Sequence, residues 1–215
     1  VRDRPEDLIR ELGAQVTVYL ALPDKTSRKS WYYERRQEYW DDPTPTRLYL
    51  LMRLGFNGVW QTCVDSHGLF GTPSGLLNHS RAEQVFKPEL IRAWSRALQT
   101  ARIHAGGYQD IPIPEQPSLI YLDPPYRDSF MSYGTGFDDG DQKALCGWLR
   151  DRHADGHRVL LANRHVEDDP FFENLIGDIC DFHYFDVTYT AGRRKKTAGG
   201  FEAKSAREFL AISKI

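Results

Sequence analysis

Leu119-Ile120-Tyr121-Leu122-Asp123-Pro124-Pro125-Tyr126 is the stretch on which the reading of this chain turns. A short apolar run bounded by a breaker reads as a strand. The sequence therefore predicts a buried strand ending at Leu122 and a loop beginning at Asp123. In an open α/β sheet the ligand crevice lies outside the carboxyl ends of the strands. Two prolines remove two backbone donors and stiffen the turn. An acceptor-only carboxylate and an aromatic face are then held a fixed distance apart, a pair that suits a flat base carrying an exocyclic amine. Four residues without context do not separate this reading from an ordinary strand followed by a Pro-Pro turn.

The chemistry follows from the amine. The N6 lone pair of adenine is delocalised into the ring, which makes it a poor nucleophile. Asp123 is placed to accept one amine hydrogen and the Pro124 carbonyl to accept the other. Both bonds favour a pyramidal nitrogen whose lone pair points at an incoming methyl group. The Tyr126 ring is placed to stack on the base and hold it within reaction distance. A base paired inside a duplex cannot enter such a pocket, so it must be flipped out.

Further markers supply the context. They are Phe56-Asn57-Gly58-Val59-Trp60, Gly68-Leu69-Phe70-Gly71-Thr72-Pro73, Tyr133, Gly136-Phe137 with Asp141-Gln142, the Ala162-Asn163 strand end, and Gly192-Arg193-Arg194 through Glu208-Phe209-Leu210. With these the chain resembles the Dam-type (D12 class) DNA adenine-N6 methyltransferases, from near Arg2 to the C-terminus, with gaps. The resemblance implies S-adenosyl-L-methionine as methyl donor and double-stranded DNA as partner. It implies a Rossmann-like α/β sheet carrying an inserted, mainly helical target-recognition region ahead of the catalytic loop. Asp123, Pro124, Pro125 and Tyr126 take the catalytic positions, and Asp110 with Tyr108 and Asp123 the cofactor positions. The expected division is 1–45 for a helical segment of the cofactor domain, 46–100 for target recognition and 101–215 for the catalytic part.

The family's opening Phe-x-Gly-x-Gly loop, and the acid that follows its second strand, are not in this sequence. The start, Val1 to Ile9, resembles the segment just beyond that second strand. The expectation is a chain incomplete at the N-terminus of its cofactor domain, with the glycine loop supplied elsewhere, in a longer form or by another chain. Gly134-Thr135-Gly136 lies after the catalytic loop and reads as loop, and Asp3 lacks the strand that would make it the ribose carboxylate.

Composition sets outer bounds. At 215 residues and 40% hydrophobic content, the chain can bury a real core. No apolar run reaches membrane-spanning length. Cys63, Cys146 and Cys180 are odd in number and widely spaced, which fits neither a disulfide framework nor a metal site. None follows a proline, so the Pro-Cys nucleophile of cytosine-C5 methyltransferases is absent. Cytoplasmic residence is the expectation. A net charge of −2 does not advertise a nucleic-acid binder, but Arg193-Arg194-Lys195-Lys196 concentrates cations beside Gly199-Gly200, as a loop tip placed to meet phosphates. A solvated hairpin has the same appearance.

Hydrophobic spacing and punctuation predict the elements. Helices are expected over 5–13, 31–40, 46–54, 88–101, 139–153 and 170–176, with 56–78 irregular or a short hairpin. Strands are expected over 118–122, 158–162, 182–190 and 207–213, with 102–105 as an edge of a further strand. The helix opening at Lys87-Pro88 is expected to run through the apolar positions Ile91, Trp94, Leu98 and Ala101, and Leu145, Trp148 and Leu149 are expected to face inward. Tyr121 is expected to pack within its strand. Asn163 is read either as support for the catalytic loop or as a plain turn residue.

Target recognition is expected between Asn57 and Asn78. Asn and Gln read adenine edges and Arg reads guanine. The resemblance puts Asn57 in a DNA-facing turn. It also puts Gln61 where relatives of the GATC-specific enzyme carry a guanine-reading Arg, which argues against a GATC site. Ser66 and His67 are candidate base or phosphate contacts and Pro73 a candidate groove-side wedge. Two other readings stay open. One is an amino-methyltransferase acting on rRNA or protein, against which the Phe56 to Pro73 segment argues. The other is a DNA-binding remnant without methyl transfer.

Overall fold

The computed structural model describes residues 1–127, 136–189, 195–197, 200–202 and 204–215. Tyr133, Gly134, Thr135, Gly192, Arg193, Arg194 and Gly199 lie outside the described residues. The chain forms two compact units, one from Val1–His104 and one from the residues that follow.

The first unit is helical. Helix α1 spans Pro5–Ala21, with proline in its first turn followed by Glu6 and Asp7, where acids complement the N-terminal dipole. It runs straight through Gly13, where the sequence predicts a stop. A glycine inside a helix costs about 1 kcal/mol relative to alanine. Val16 and Tyr19 lie beyond it, on one stripe with Leu8 and Leu12, and all four are buried. Burial of a large apolar side chain is worth roughly 1.5–3 kcal/mol, so the two outweigh the glycine.

Helix α2, Lys25–Asp41, begins six residues ahead of the expected Trp31, because Asp24 caps it by accepting from the Ser27 N–H at 2.8 Å. Its first turn and a half carries no apolar residue, so periodicity alone does not reveal it. Helix α3, Pro45–Leu54, is capped by Thr44. Helix α4, Pro88–Leu98, ends before the expected Ala101 and buries Ile91 and Ser95. Trp94, on the apolar period that marks this helix in the sequence, is 56% exposed, because the buried stripe falls one residue further along. Residues 102–105 form no strand.

Residues 1–45 and 46–100, expected as separate regions, share one core. Leu12, Tyr19 and Tyr32 pack in the same cluster as Leu51, Leu54, Phe70 and Leu77.

The second unit holds a mixed four-stranded sheet. Its strands are β1 (Leu119–Leu122), β2 (Arg158–His165), β3 (Cys180–Tyr189) and β6 (Lys204–Ser213), in the spatial order β1-β2-β6-β3. A separate short pair joins β4 (Lys195–Thr197) to β5 (Gly200–Glu202). β1 runs parallel to β2, with Leu122 opposite Leu161, whereas β6 is antiparallel to both its neighbours. Helices α5 (Asp139–Ala154) and α6 (Phe171–Ile176) contribute Leu145, Leu149, Phe172 and Ile176 to a core with Leu122, Val159, Leu161, Phe209 and Ala211.

Those sheet residues share one face. Leu119 and Tyr121, two-residue alternates on β1, point to the other face and are 67% and 58% exposed. The strand expected to be buried is thus buried on one side, and Tyr121 does not pack as expected. β2 continues three residues past its expected end, so Asn163 sits inside the strand, fully buried, and is not a turn residue.

Among the described residues no helix is long and apolar enough to cross a membrane, and no group of three or more His, Cys, Asp or Glu side chains is placed to hold a metal ion. The three cysteines are free thiols. Burial pushes the Cys146 thiol up to about 12, with the nearby Cys180 adding to the shift.

Candidate active site

β1 delivers Asp123 to its carboxyl end. The entry to the strand is fixed from both sides: the Ser118 N–H donates to His157 Nδ1 at 3.2 Å, and the Ser118 carbonyl accepts from the Arg158 N–H at 2.9 Å. Asp123 is exposed, neither walled off nor ion-paired among the described residues, while Pro124, Pro125 and Tyr126 are half-buried. The charges of Asp123 and Glu208 both act on the hydroxyls of Tyr121 and Tyr126. Burial raises the Tyr126 hydroxyl well above the ordinary phenol range, and the charges of Asp123 and Glu208 raise it further. Tyr121 shifts the same way, through desolvation first and then the same two carboxylates. The sequence marks Glu208 only as part of Glu208-Phe209-Leu210 and gives it no place beside Tyr126, whose hydroxyl feels its charge. The signal for Glu208 is strand alternation: opposite Arg164 on β2, it shares the face that carries Tyr121.

The loop is gripped from below. The Gln142 amide nitrogen, from the first turn of α5, donates to the Pro125 carbonyl at 2.8 Å. Asn163 Nδ2 donates to Gln142 Oε1 at 3.2 Å. Asn163 Oδ1 accepts from the Arg127 N–H at 2.9 Å and from the Arg164 N–H at 2.8 Å. Gln142 and Asn163 are both fully buried, where an unpaired amide would cost about 1–3 kcal/mol.

Arg127 then locks the exit of the loop. Its guanidinium makes two parallel bonds to Asp139, at 2.7 and 2.9 Å, and one to Asp169 at 2.6 Å, and it lies 4.1 Å over the Phe171 ring. Asp139 is held below the usual carboxylate range, chiefly by the hydrogen bond from Arg127. The start of α5 is itself fixed by Asp138, whose carboxylate accepts from the Gly140 and Asp141 N–H groups.

Of the residues expected at a cofactor site, Asp123 lies at the end of β1, whereas Tyr108 and Asp110 lie on a separate turn, Tyr108–Asp110. Tyr108 packs edge-on against Trp148 at 5.5 Å. Asp110 is exposed and accepts from the Gly107 N–H at 3.2 Å through one of its two oxygens.

The expected recognition loop belongs to the first unit and is built there to a defined shape. Tyr32, Arg36 and Trp40 of α2 donate to the carbonyls of Thr72, Gly71 and Phe70 at 2.9, 2.9 and 3.0 Å. The Thr72 hydroxyl bridges the two limbs, donating to the Val59 carbonyl at 2.7 Å and accepting from the Gln61 N–H at 3.0 Å. At Gly71 an added Cβ would meet the Cys63 backbone nitrogen at 2.8 Å, so only glycine lets the limbs approach.

On this frame Asn57, His67 and Pro73 are exposed and Gln61 is half-buried. Asn57 and His67 adopt left-handed backbone, with φ of 51° and 48°. Ser66 is different. It is fully buried, and its hydroxyl donates to the Cys63 carbonyl and accepts from the Cys63 N–H. Its role in this structure is to close the turn that presents Val64 and His67. Val64 is 96% exposed at that turn, and nothing in the local sequence pattern marks it. Lys195 and Lys196 fall in β4, while their neighbours Arg193 and Arg194 lie outside the described residues.

A chain of this architecture has known relatives. Residues 1–195 match the family described as D12 class N6 adenine-specific DNA methyltransferase. The Retron Ec67 DNA adenine methylase of Escherichia coli is 25% identical over 219 residues, an alignment that takes in 96% of this chain and 72% of that relative. The exposed acid at a strand end, the braced Pro-Pro-Tyr loop and a family match running through both units lead to one conclusion: the chain belongs to the D12 class N6 adenine-specific DNA methyltransferases, enzymes that methylate adenine in DNA at N6.

Proposed function

We propose that the enzyme transfers a methyl group from S-adenosyl-L-methionine to an adenine flipped out of duplex DNA, with Asp123, Pro124, Pro125 and Tyr126 holding the base. The observation that carries this reading is the exposed Asp123 carboxylate at the end of β1, beside a half-buried Tyr126 whose flanking peptides are both pinned. Asp123 accepts one amine hydrogen and the Pro124 carbonyl the other, which localises the nitrogen lone pair. When the methyl group passes to the nitrogen, its bond to the donor's sulfonium would break with the electron pair left on sulfur, and the amine would shed a proton to the Asp123 carboxylate, which opens to solvent. Tyr126 contributes a π-face, and base–aromatic stacking is worth roughly 1–3 kcal/mol.

S-adenosyl-L-methionine, when bound, supplies the electrophilic methyl group. The residues on the Tyr108–Asp110 turn fit its nucleoside end: Asp110 offers an exposed acceptor for an amine, and Ile111 beside it is 43% exposed as an apolar neighbour. Asn57, Gln61, His67 and Pro73, on the limbs braced by α2, are the residues proposed to meet DNA. Arg193, Arg194, Lys195 and Lys196 are proposed to meet phosphates. In this division residues 46–100 carry target recognition and 101–215 the chemistry, on an inserted and a Rossmann-like part respectively.

The test is methylation of an adenine-containing duplex with tritiated donor by wild type and Asp123→Ala, with DNA binding measured in parallel. Loss of methyl transfer with DNA binding retained supports the reading. A variant that methylates at the wild-type rate refutes it.

A further inference from the structure

We infer that Gln142 and Asn163 act as one buried positioning device for the Tyr126 ring, a role that nothing in the family match assigns. The inference rests on the reading of Tyr126 as the residue that receives the flipped base. The peptide before Tyr126 presents its carbonyl, Pro125 O, to Gln142 at 2.8 Å. The peptide after it presents its N–H, from Arg127, to Asn163 at 2.9 Å. Gln142 and Asn163 are bonded to each other at 3.2 Å. A single amide pair therefore grips both peptide groups that flank one residue.

This arrangement differs from ordinary core satisfaction in what it fixes. With Pro125 restricted at φ by its ring, the backbone torsions that still set the direction of the Tyr126 Cα–Cβ bond are ψ of Pro125 and φ and ψ of Tyr126 itself. Holding the Pro125 carbonyl and the Arg127 N–H restrains all three. The donor and acceptor come from different elements, Gln142 from α5 and Asn163 from β2, so the point and direction from which the Tyr126 side chain departs are set relative to helix and sheet together. Asn163 is doubly committed, because its oxygen also takes the Arg164 N–H at 2.8 Å, which fixes the amide's orientation. Both side chains have no exposure, so neither is placed to touch substrate. They are positioning residues, and their effect on methyl transfer runs through Tyr126.

The substitution Gln142→Met keeps the length of the side chain and removes the donor to Pro125. Four readouts are needed: kcat, the Kd for duplex, the thermal midpoint, and the fluorescence of a duplex carrying 2-aminopurine at the methylated position. The expected result is a fall in kcat on the order of 10–100-fold, the scale of a small misplacement of a reacting group. Duplex Kd should be nearly unchanged and the 2-aminopurine response blunted. In a Tyr126→Ala background, the same substitution should lose most of its effect on kcat.

Wild-type kcat in Q142M overturns the inference. So does an equal loss of kcat with and without Tyr126, which would make the amide pair a general core element. If Q142M does not fold, Asn163→Asp, which removes the Nδ2 donor to Gln142 and keeps the acceptor for Arg127, is judged by the same criteria. Asp123→Ala in the same assays keeps the two ideas apart. Full activity there sinks the reading of the loop, whereas an inactive D123A beside an unaffected Q142M sinks only the positioning role.

Discussion

Arg127 holds Asp139 through two parallel hydrogen bonds of 2.7 and 2.9 Å, joining the end of the Asp-Pro-Pro-Tyr loop to the first residue of α5. The fork geometry is specific to guanidinium, since lysine presents a point charge and cannot match two carboxylate oxygens at once. Arg127→Lys should therefore lower kcat while leaving duplex affinity near wild type, and Arg127→Ala should lower it further. Steady-state kinetics with parallel binding titrations check this. A lysine variant as fast as wild type would show that charge alone suffices at this position.

Tyr126 offers a ring and a hydroxyl, and the two can be separated. Tyr126→Ala removes the stacking face and should weaken base capture by about 1–3 kcal/mol. Tyr126→Phe keeps the face and removes a hydroxyl that sits among the carboxylates of Asp123 and Glu208. It should retain most of the activity. Comparison of kcat/KM for the two variants decides it, and equal losses would assign the role to the hydroxyl.

Asp178 should make the second unit acid-sensitive. Its carboxylate is held down to about 2, chiefly by the hydrogen bond from Arg150, whose guanidinium reaches both carboxylate oxygens at 2.6 Å. A depressed folded-state pKa contributes stability that is present above the ordinary carboxylate range and lost as pH falls through the folded value. The window is therefore from about pH 4 down to about pH 2. Both partners are well exposed, so the effect is modest. The thermal midpoint of wild type should exceed that of Arg150→Gln at neutral pH, and the gap should close across that window. A gap that persists at pH 2 would rule out the ion pair as its source.

Arg193, Arg194, Lys195 and Lys196 should reveal themselves through salt. Every phosphate that the protein ceases to neutralise flattens the plot of log K against log salt concentration by about 0.9 for duplex DNA. Replacing the four with glutamine should reduce the slope by up to that amount per residue. An unchanged slope makes the run a bystander.

The Asp-Pro-Pro-Tyr segment is legible from sequence because its signal is local: an apolar run, a breaker, and residue types suited to one job. Helix α1 is misjudged at Gly13 because propensity is local while the burial of Val16 and Tyr19 is not. The start of α2 is legible only through its cap, since Lys25 to Ser30 offers no apolar period. Ser66 has the profile of a polar loop residue, and only the fold shows its hydroxyl turned inward onto Cys63. Gln142 and Asn163 are visible as markers without a shared role, because 21 residues of chain separate the two ends of one hydrogen bond.

By itself the sequence determined the chemistry on offer, an acid and an aromatic ring on a stiffened turn after a strand, since covalent order and proline stereochemistry suffice for that. The tertiary structure decided what aims that ring. Packing of α5 against β2 brings Gln142 to Asn163, and strand register puts Glu208 on the face of Tyr121. Such pairings depend on which buried groups find partners across elements, and nothing in the spacing of residues along one chain specifies that.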